Sequence, residues 1–308
     1  MDIAIIGSNM VDLITYIAEM PKRGETLEAP DFEIGCGGKG ANQAVAAAKL
    51  GAGVMMVSKV GDDLFADNTV NNLRRYGIDT RYVEKAPGVS SGVAPIFVGK
   101  DSHNRILIIK GANNHLTAED VDRAAEQLKK CKLIILQLEI PLPTVYHSID
   151  IARQLHVPVI LNPAPASREL DIAYACQCDF FMPNETELEI LTGMPVDTEA
   201  HILAAGRFLL TKGLKNLIIT MGHRGSVWLT GDSVHRVDAL PVKAVDTSGA
   251  GDAFIGCFAR YYVGDGDIKQ AMTYASAYAA YSVRGKGTQR SYADASQFGD
   301  FLATLHQE

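Results

Sequence analysis

Residues 133–161 read LIILQLEIPLPTVYHSIDIARQLHVPVIL. An apolar run over Leu133–Leu138 gives way to a helical pattern over Thr144–Leu155 and then to a second apolar run over Val157–Leu161. Strand, helix and strand in this order form a βαβ unit, whose strands lie parallel and are covered on both faces. Outward from it the same alternation continues, with candidate buried strands at Ile3–Ile6, Val54–Val57, Phe180–Met182 and Leu217–Thr220. Helical patterns at Ala41–Leu50, Asp67–Tyr76, Glu119–Lys130 and Ala200–Lys212 lie between them. Thr117 and Asp120 form a capping-box-like pair at the start of one helix. The fold class is therefore α/β with a mainly parallel sheet.

Two stretches break the rhythm. Residues 13–36 and 90–110 hold strand-like pieces, such as Val93–Val98 and Arg105–Ile109, with no helix between them. A small antiparallel sheet set into the α/β body explains both, and beside a cleft such an insert is a candidate lid. No internal repeat, low-complexity tract or long linker is apparent, so one domain over 1–308 carrying this lid is expected.

Composition narrows the classes. At 308 residues, 47% hydrophobic and 21% charged, the chain has an ordinary globular make-up, and a net charge of −7 offers no basic surface for nucleic acid. Cys36, Cys131, Cys176, Cys178 and Cys257 are odd in number and suggest neither a disulfide framework nor a zinc site. No apolar run reaches the roughly 18 residues of a membrane span. The first residues show no basic segment and no cleavage site. A soluble, unprocessed protein of the reduced cytoplasm is the expectation.

Chemistry is concentrated in four polar or glycine-rich segments. In DTSGAGDAF, Asp246–Phe254, Gly249, Ala250 and Gly251 open a helix whose Ala253, Phe254, Cys257, Phe258 and Tyr261 recur at core spacing. Backbone N–H groups at such a helix start lack partners and can meet an anion closely. Asp252 is then either a base beside that anion or a helix-start carboxylate. GCGGKGANQA, Gly35–Ala44, lets backbone approach a ligand, and Lys39 and Asn42 suit sugar hydroxyls or phosphate. It fits neither the P-loop nor the dinucleotide fingerprint, and Lys39 could equally be a solvated lysine. In PNETELEILTG, Pro183–Gly193, Asn184 and Glu187 share a helical face, which suits either a hydrated Mg²⁺ or a helix cap. The turn Thr220-Met221-Gly222-His223-Arg224-Gly225 follows a strand end, where open α/β sheets bind ligands; a tight hairpin into Ser226–Leu229 is the competing reading. The histidines show no metal-ligand spacing, Trp228 reads as a hairpin packing residue, and Tyr274, Tyr278 and Tyr281 read as one helix face.

GGKGANQA, NPAPA at Asn162–Ala166, PNETE, the TMGxxG turn and DTSGAGDAF stand in the order and spacing of ribokinase and related carbohydrate kinases. The chain resembles that family over nearly its whole length. The resemblance implies a three-layer α/β/α body with a β lid, a homodimer paired through that lid, and transfer of the γ-phosphate of ATP to a sugar hydroxyl. It makes Asp252 the general base and Gly249, Ala250 and Gly251 an anion hole. Asn184 and Glu187 would assist Mg²⁺, indirectly in the case of Glu187. Nucleotide contacts are expected at Asn184, Thr220, Met221, Gly222, His223, Arg224, Gly225, Gly251 and Ser276. A monovalent cation, normally K⁺, is implied near Asp246, Ser248, Ser282, Gly285, Gly287 and Ser291, several of them acting through backbone carbonyls.

For the sugar, the matching positions are Met10, Asp12, Gly38, Lys39, Gly40, Ala41, Asn42 and Glu139, together with Asp252; Glu139 could instead only cap a strand. One position departs from the family pattern. Ribokinases typically carry asparagine where Gly7-Ser8-Asn9-Met10-Val11-Asp12 has Met10. A thioether offers dispersion and only a weak acceptor, so a sugar with CH₂ there loses nothing. The expected substrate is thus 2-deoxyribose, phosphorylated on its 5-hydroxyl. Ribose is the alternative, with Met10 merely packing beside the pocket. A nucleoside or hexose kinase and a non-catalytic sugar sensor of the same fold are further alternatives.

Overall fold

The structure, a computed structural model, describes residues 1–99 and 104–305. The 100–103 part of the 90–110 segment lies outside the described residues. The strands in chain order are β1 (Ile3–Ile6), β2 (Met10–Tyr16), β3 (Asp31–Gly37), β4 (Val54–Val60), β5 (Asp79–Lys85), β6 (Gly92–Val98), β7 (Asn104–Ile106), β8 (Leu133–Leu136), β9 (Val159–Leu161), β10 (Phe180–Phe181), β11 (Leu217–Thr220), β12 (Ser226–Leu229) and β13 (Val234–Val237). The main sheet runs β13-β12-β11-β10-β9-β8-β1-β4-β5. It is parallel from β5 to β11, and β12 and β13 are added antiparallel.

The apolar strands alternate with period two, and this sorts their residues between two cores. Ile3 and Ile5 join the core under α1 (Lys39–Lys49), α8 (Ala250–Asp265), α9 (Ile268–Ser282) and α10 (Ala295–Leu305). Ala4 and Ile6 join the opposite core under α3 (Ala118–Leu128), α4 (Leu142–Leu155), α6 (Glu185–Thr192) and α7 (Glu199–Thr211). The result is the expected three-layer α/β/α body, with α2 (Leu64–Arg75) and the short α5 (Ile172–Ala175) at its periphery. Among the described residues no helix is long and apolar enough to cross a membrane.

A second sheet, β3-β2-β6-β7, stands apart from the first. Its central pair β2 and β6 is parallel, and the outer pairings are antiparallel. This corrects the expectation of a wholly antiparallel insert. Met10 opens β2 and lies opposite Gly37 and Gly92, so the base of the second sheet abuts the carboxyl end of β1.

Several boundaries differ from the sequence reading. Asp63 caps α2 by accepting from Phe65 N and Ala66 N, so that helix starts at Leu64 rather than Asp67. The run Leu133–Leu138 pairs only to Leu136, because Leu138 N donates instead to Ala164 O and the chain turns there. The strand-like Arg105–Ile109 is a strand only to Ile106, with Ile109 bridging Val93. Strand β5, with Asp79, Arg81, Glu84 and Lys85 on an edge, and β13 gave no apolar signal. The capping box of Thr117 and Asp120 is formed, and Tyr278 is fully buried on α9 with its hydroxyl donating to Ala293 O.

Candidate active site

In the main sheet the chain proceeds from β1 to β4 and β5 on one side, then returns through β8 to β11 on the other. Ligands of open α/β sheets bind beyond the carboxyl ends of the strands at such a reversal. Ser8 follows β1, Glu139 follows β8, Asn162 follows β9, Asn184 follows β10, and Thr220 ends β11. Polar residues scattered along the sequence therefore meet at one edge.

Helices α1 and α8 bring the remaining groups. A Cβ on Gly256 would lie 2.6 Å from both Ala46 Cβ and Gln43 O, so only a glycine lets the two helices approach this closely. Asn42 and Gln43, at the start of α1, consequently reach Asp252, in the first turn of α8. Asn42 Nδ2 donates to Asp252 Oδ2 at 2.9 Å and Gln43 Nε2 to Oδ1 at 2.9 Å. Asp252 is 6% exposed, and the helix-start reading leaves these two contacts unexplained.

In front of Asp252 lies a cavity of about 150 Å³ lined by Lys39, Asn184, Glu187, Thr220 and the Gly249–Asp252 turn, among others. Gly249 has φ +72° and a Cβ there would collide with Thr288 and Tyr292. A Cβ on Gly251 would meet nothing within 4 Å, so open space faces the helix start. This suits an anion held by backbone N–H groups. Asn184, Thr220, Thr247, Ala250 and Gly251 also line a larger cavity of about 500 Å³, so the two are continuous. Its far end combines Leu240, Val242, Phe254, Ala279 and Val283 with Ser276, His223 and the glycines 222 and 225. An apolar slot running into an anion site fits a nucleoside triphosphate. Met221 and Arg224 do not line it. Met221 is buried in the core, and Arg224 pairs with Glu185.

The helix cap and the polar site at Asn184 coexist. Asn184 Oδ1 accepts from Glu187 N at 2.8 Å, and the Glu187 carboxylate accepts from Asn184 N and Nδ2. Burial raises the Glu187 carboxyl above its usual range, although Asn184 N–H and Lys39 pull against this. An oxygen-only donor facing phosphate space fits a hydrated Mg²⁺. Lys39 is partly buried rather than solvated: burial alone would lower its ammonium, but Asp252, Glu139 and Glu187 outweigh that and raise it.

Glu139 does not cap its own strand. Its Oε2 accepts from Lys39 N at 2.8 Å and from Ser8 Oγ at 2.5 Å, at the start of α1. Burial leads the upward shift of its carboxyl. Asp12 is 8% exposed, and burial, then Glu139 and Asp252, push its carboxyl up to about 7. The folded state therefore keeps a proton that the unfolded chain releases near 3.8, so stability falls as pH rises from there to about 7. Asp12→Asn is expected to flatten this fall. The variant's stability should gain on the native protein's between pH 4 and pH 7, by up to about 1.4 kcal/mol per pH unit, read as a widening difference in melting temperature. Parallel melting curves would refute the assignment.

Around the implied cation positions, Asp246 Oδ1 accepts from Ser248 N and Oδ2 from Gly287 N, both at 2.9 Å. The Ser282 and Ser291 hydroxyls donate to Ala279 O and Thr288 O, and Gly285 N donates to Ser282 O. Asp246 thereby ties the loop before α8 to the turn at Gly287.

The sequence reading did not single out Gln43, Gln137 or Gln289, and Asn162 entered only within NPAPA. Gln43 had a faint signal, as a polar residue amid the alanines of α1; Gln289 had none. Asn113 was also missed. It brackets Asn9 by accepting from its N–H at 2.9 Å and donating to its carbonyl at 3.1 Å.

Comparison with known proteins agrees with this geometry. The model of the "pfkB family carbohydrate kinase" matches residues 1–295. The chain is 66% identical to a deoxyribokinase of Salmonella typhi over 98% of its own length and 99% of that protein. It is 38% identical to a ribokinase of Mus musculus over 94% of its own length and 91% of that protein. Among solved structures, Arabidopsis thaliana ribokinase complexed with ribose and ATP superposes with a TM-score of 0.89 at 29% identity, with 98% of each chain covered.

Proposed function

The chain belongs to the pfkB family of carbohydrate kinases, and from that premise we propose that it transfers the γ-phosphoryl group of ATP to the 5-hydroxyl of 2-deoxyribose in preference to ribose. It is an ATP-dependent sugar kinase. The observation that carries the choice of sugar is Met10, 2% exposed at the base of the second sheet where the family pattern has an amide. The 66% identity to a deoxyribokinase, against 38% to a ribokinase, supports the same choice.

In this reading the pentose lies between the two sheets, against Met10, Asp12, the Gly38–Asn42 turn and Glu139. The adenine enters the apolar slot and the phosphates extend to Gly249–Gly251. Mg²⁺, reached through water from Glu187 and Asn184, would supply neutralisation of phosphate charge. Asp252 accepts the proton of the 5-hydroxyl as that oxygen bonds to phosphorus and the bond to the bridging oxygen of ADP breaks. The backbone N–H groups of the helix start stabilise the charge on the transferring group. Lys39 adds a cation among the carboxylates. K⁺ near Asp246 would order the loop that leads into this turn.

The exposed apolar residues Phe32, Ile34 and Ile106 on the second sheet, with Leu107 just past its edge strand, favour pairing of two chains through it. We place the enzyme in the cytoplasm. The test of the reading is kcat/KM for 2-deoxyribose, ribose, nucleosides and hexoses, with and without K⁺, on protein whose mass in solution is measured. A preference for ribose would overturn the substrate choice. Indifference to K⁺ would remove the cation, and a single-chain mass would remove the dimer.

A further inference from the structure

Both oxygens of Asp252 receive hydrogen bonds from side-chain amides, and each amide is itself held by another. Gln43 Nε2 donates to Asp252 Oδ1 at 2.9 Å and to Asn162 Oδ1 at 3.1 Å. Asn162 Nδ2 donates to Met182 O at 2.8 Å, and a backbone carbonyl can only accept. The Asn162 amide is thereby oriented with its oxygen toward Gln43, which must present its NH₂ group to both Asn162 and Asp252. Gln43 Oε1 is left to accept from Gln137 Nε2 at 2.6 Å. On the other side, Asn72 donates to Gln289, Gln289 to Asn42 and Asn42 to Asp252 Oδ2, at 2.7, 2.9 and 2.9 Å. Both chains of donors point the same way, toward the carboxylate.

Gln137 provides a second observation. Its Oε1 is buried without a partner among the described residues and lies against Gly7, where any Cβ would collide with it. An unpaired buried carbonyl is destabilising. An apolar residue would avoid this, yet could not donate to Gln43. A residue that tolerates this strain while supplying one directed hydrogen bond is characteristic of a site that must hold a group still.

We propose that Gln43 is a positioning residue for the reaction: it fixes the orientation of Asp252 and keeps its Oδ1 supplied with a donor, and Gln137 fixes Gln43. Gln43 is 0% exposed and cannot touch sugar or nucleotide, so it acts only through Asp252. The proposal rests on Asp252 being the base.

The test is Gln43→Met, close in shape but without the amide, assayed over pH with 2-deoxyribose and ATP. Loss of one directed contact to the base should lower kcat by roughly 30- to 300-fold. The acid limb of the kcat profile should move to higher pH, since a carboxylate deprived of a donor holds its proton more readily. Calorimetric dissociation constants for 2-deoxyribose and ATP should stay within about threefold, as neither touches Gln43. An unmoved acid limb with kcat within about twofold of native overturns the proposal. Should Gln43→Met fail to fold, Gln137→Met decides. It exchanges one unpaired buried oxygen for another, so its melting temperature should stay near native while kcat falls roughly 3- to 10-fold with the same pH shift. Native kcat there overturns the proposal equally. Asp252→Asn in the same assay separates the two levels: full activity would sink the base assignment itself, whereas an inactive Asp252→Asn beside unaffected glutamine variants would sink only this inference.

Discussion

Asp252→Asn is expected to lower kcat by about 10²- to 10⁴-fold, the usual worth of a positioned general base, with affinities for ATP and 2-deoxyribose within about threefold of native. The structure makes the substitution unusually clean. Asparagine keeps the volume of a side chain that is 6% exposed, and its Oδ1 can still accept from Gln43 or Asn42. One of those amides then faces an NH₂ group and must turn or lose a bond, so a drop in melting temperature of a few degrees accompanies the loss of rate. What disappears is the acceptor for the hydroxyl proton. A variant that turns over at native rate would remove Asp252 from the base role and revive the reading of a simple helix-start carboxylate.

The second large effect concerns the choice of sugar. In the native protein a 2-hydroxyl facing the Met10 thioether would be buried without a partner, a penalty of about 1–3 kcal/mol or roughly 5- to 150-fold in kcat/KM. Met10→Asn is expected to raise the ribose to 2-deoxyribose ratio by a factor in that range. The neighbouring Asn9 lies just before β2, outside the strand. Its own side chain is 2% exposed with neither polar atom partnered among the described residues, and its backbone is gripped by Asn113. Packing favours the methionine as well: its Cγ lies 3.1 Å from where a Cβ on Gly92 would stand, so it fills the space that this glycine leaves. Asparagine is shorter and should lower the melting temperature modestly. An unchanged sugar ratio in Met10→Asn would sink the assignment.

How much of this was legible beforehand depended on the range of the interaction. The βαβ rhythm, the capping box at Thr117 and the core face of α8 are local or periodic, and burial sorts them with no reference to distant residues. Strand β5 escaped because its polar residues edge the sheet, so its pairing with β4 rather than its composition makes it a strand. The parallel pairing of β2 with β6 joins segments some eighty residues apart. No local pattern distinguishes that from a hairpin.

The candidate site divides in the same way. Sequence by itself determined which segments could bear chemistry, since a glycine turn before a helix exposes N–H groups whatever surrounds it, and the motif order tied those segments to sugar kinases. Tertiary structure alone decided what each side chain does. Lys39 is drawn into the site by three carboxylates from three other segments, Glu139 meets the start of α1 rather than its own strand, and Arg224 turns away to Glu185. Gln43 and Gln289 are ordinary polar residues in sequence, 246 positions apart by their numbers; Gln43 reaches Asp252 because Gly256 lets α1 and α8 touch, and Gln289 reaches its partner Asn42 from the segment after α9. Hydrogen bonds are directional and short, so partners become recognisable only when the fold has set both ends.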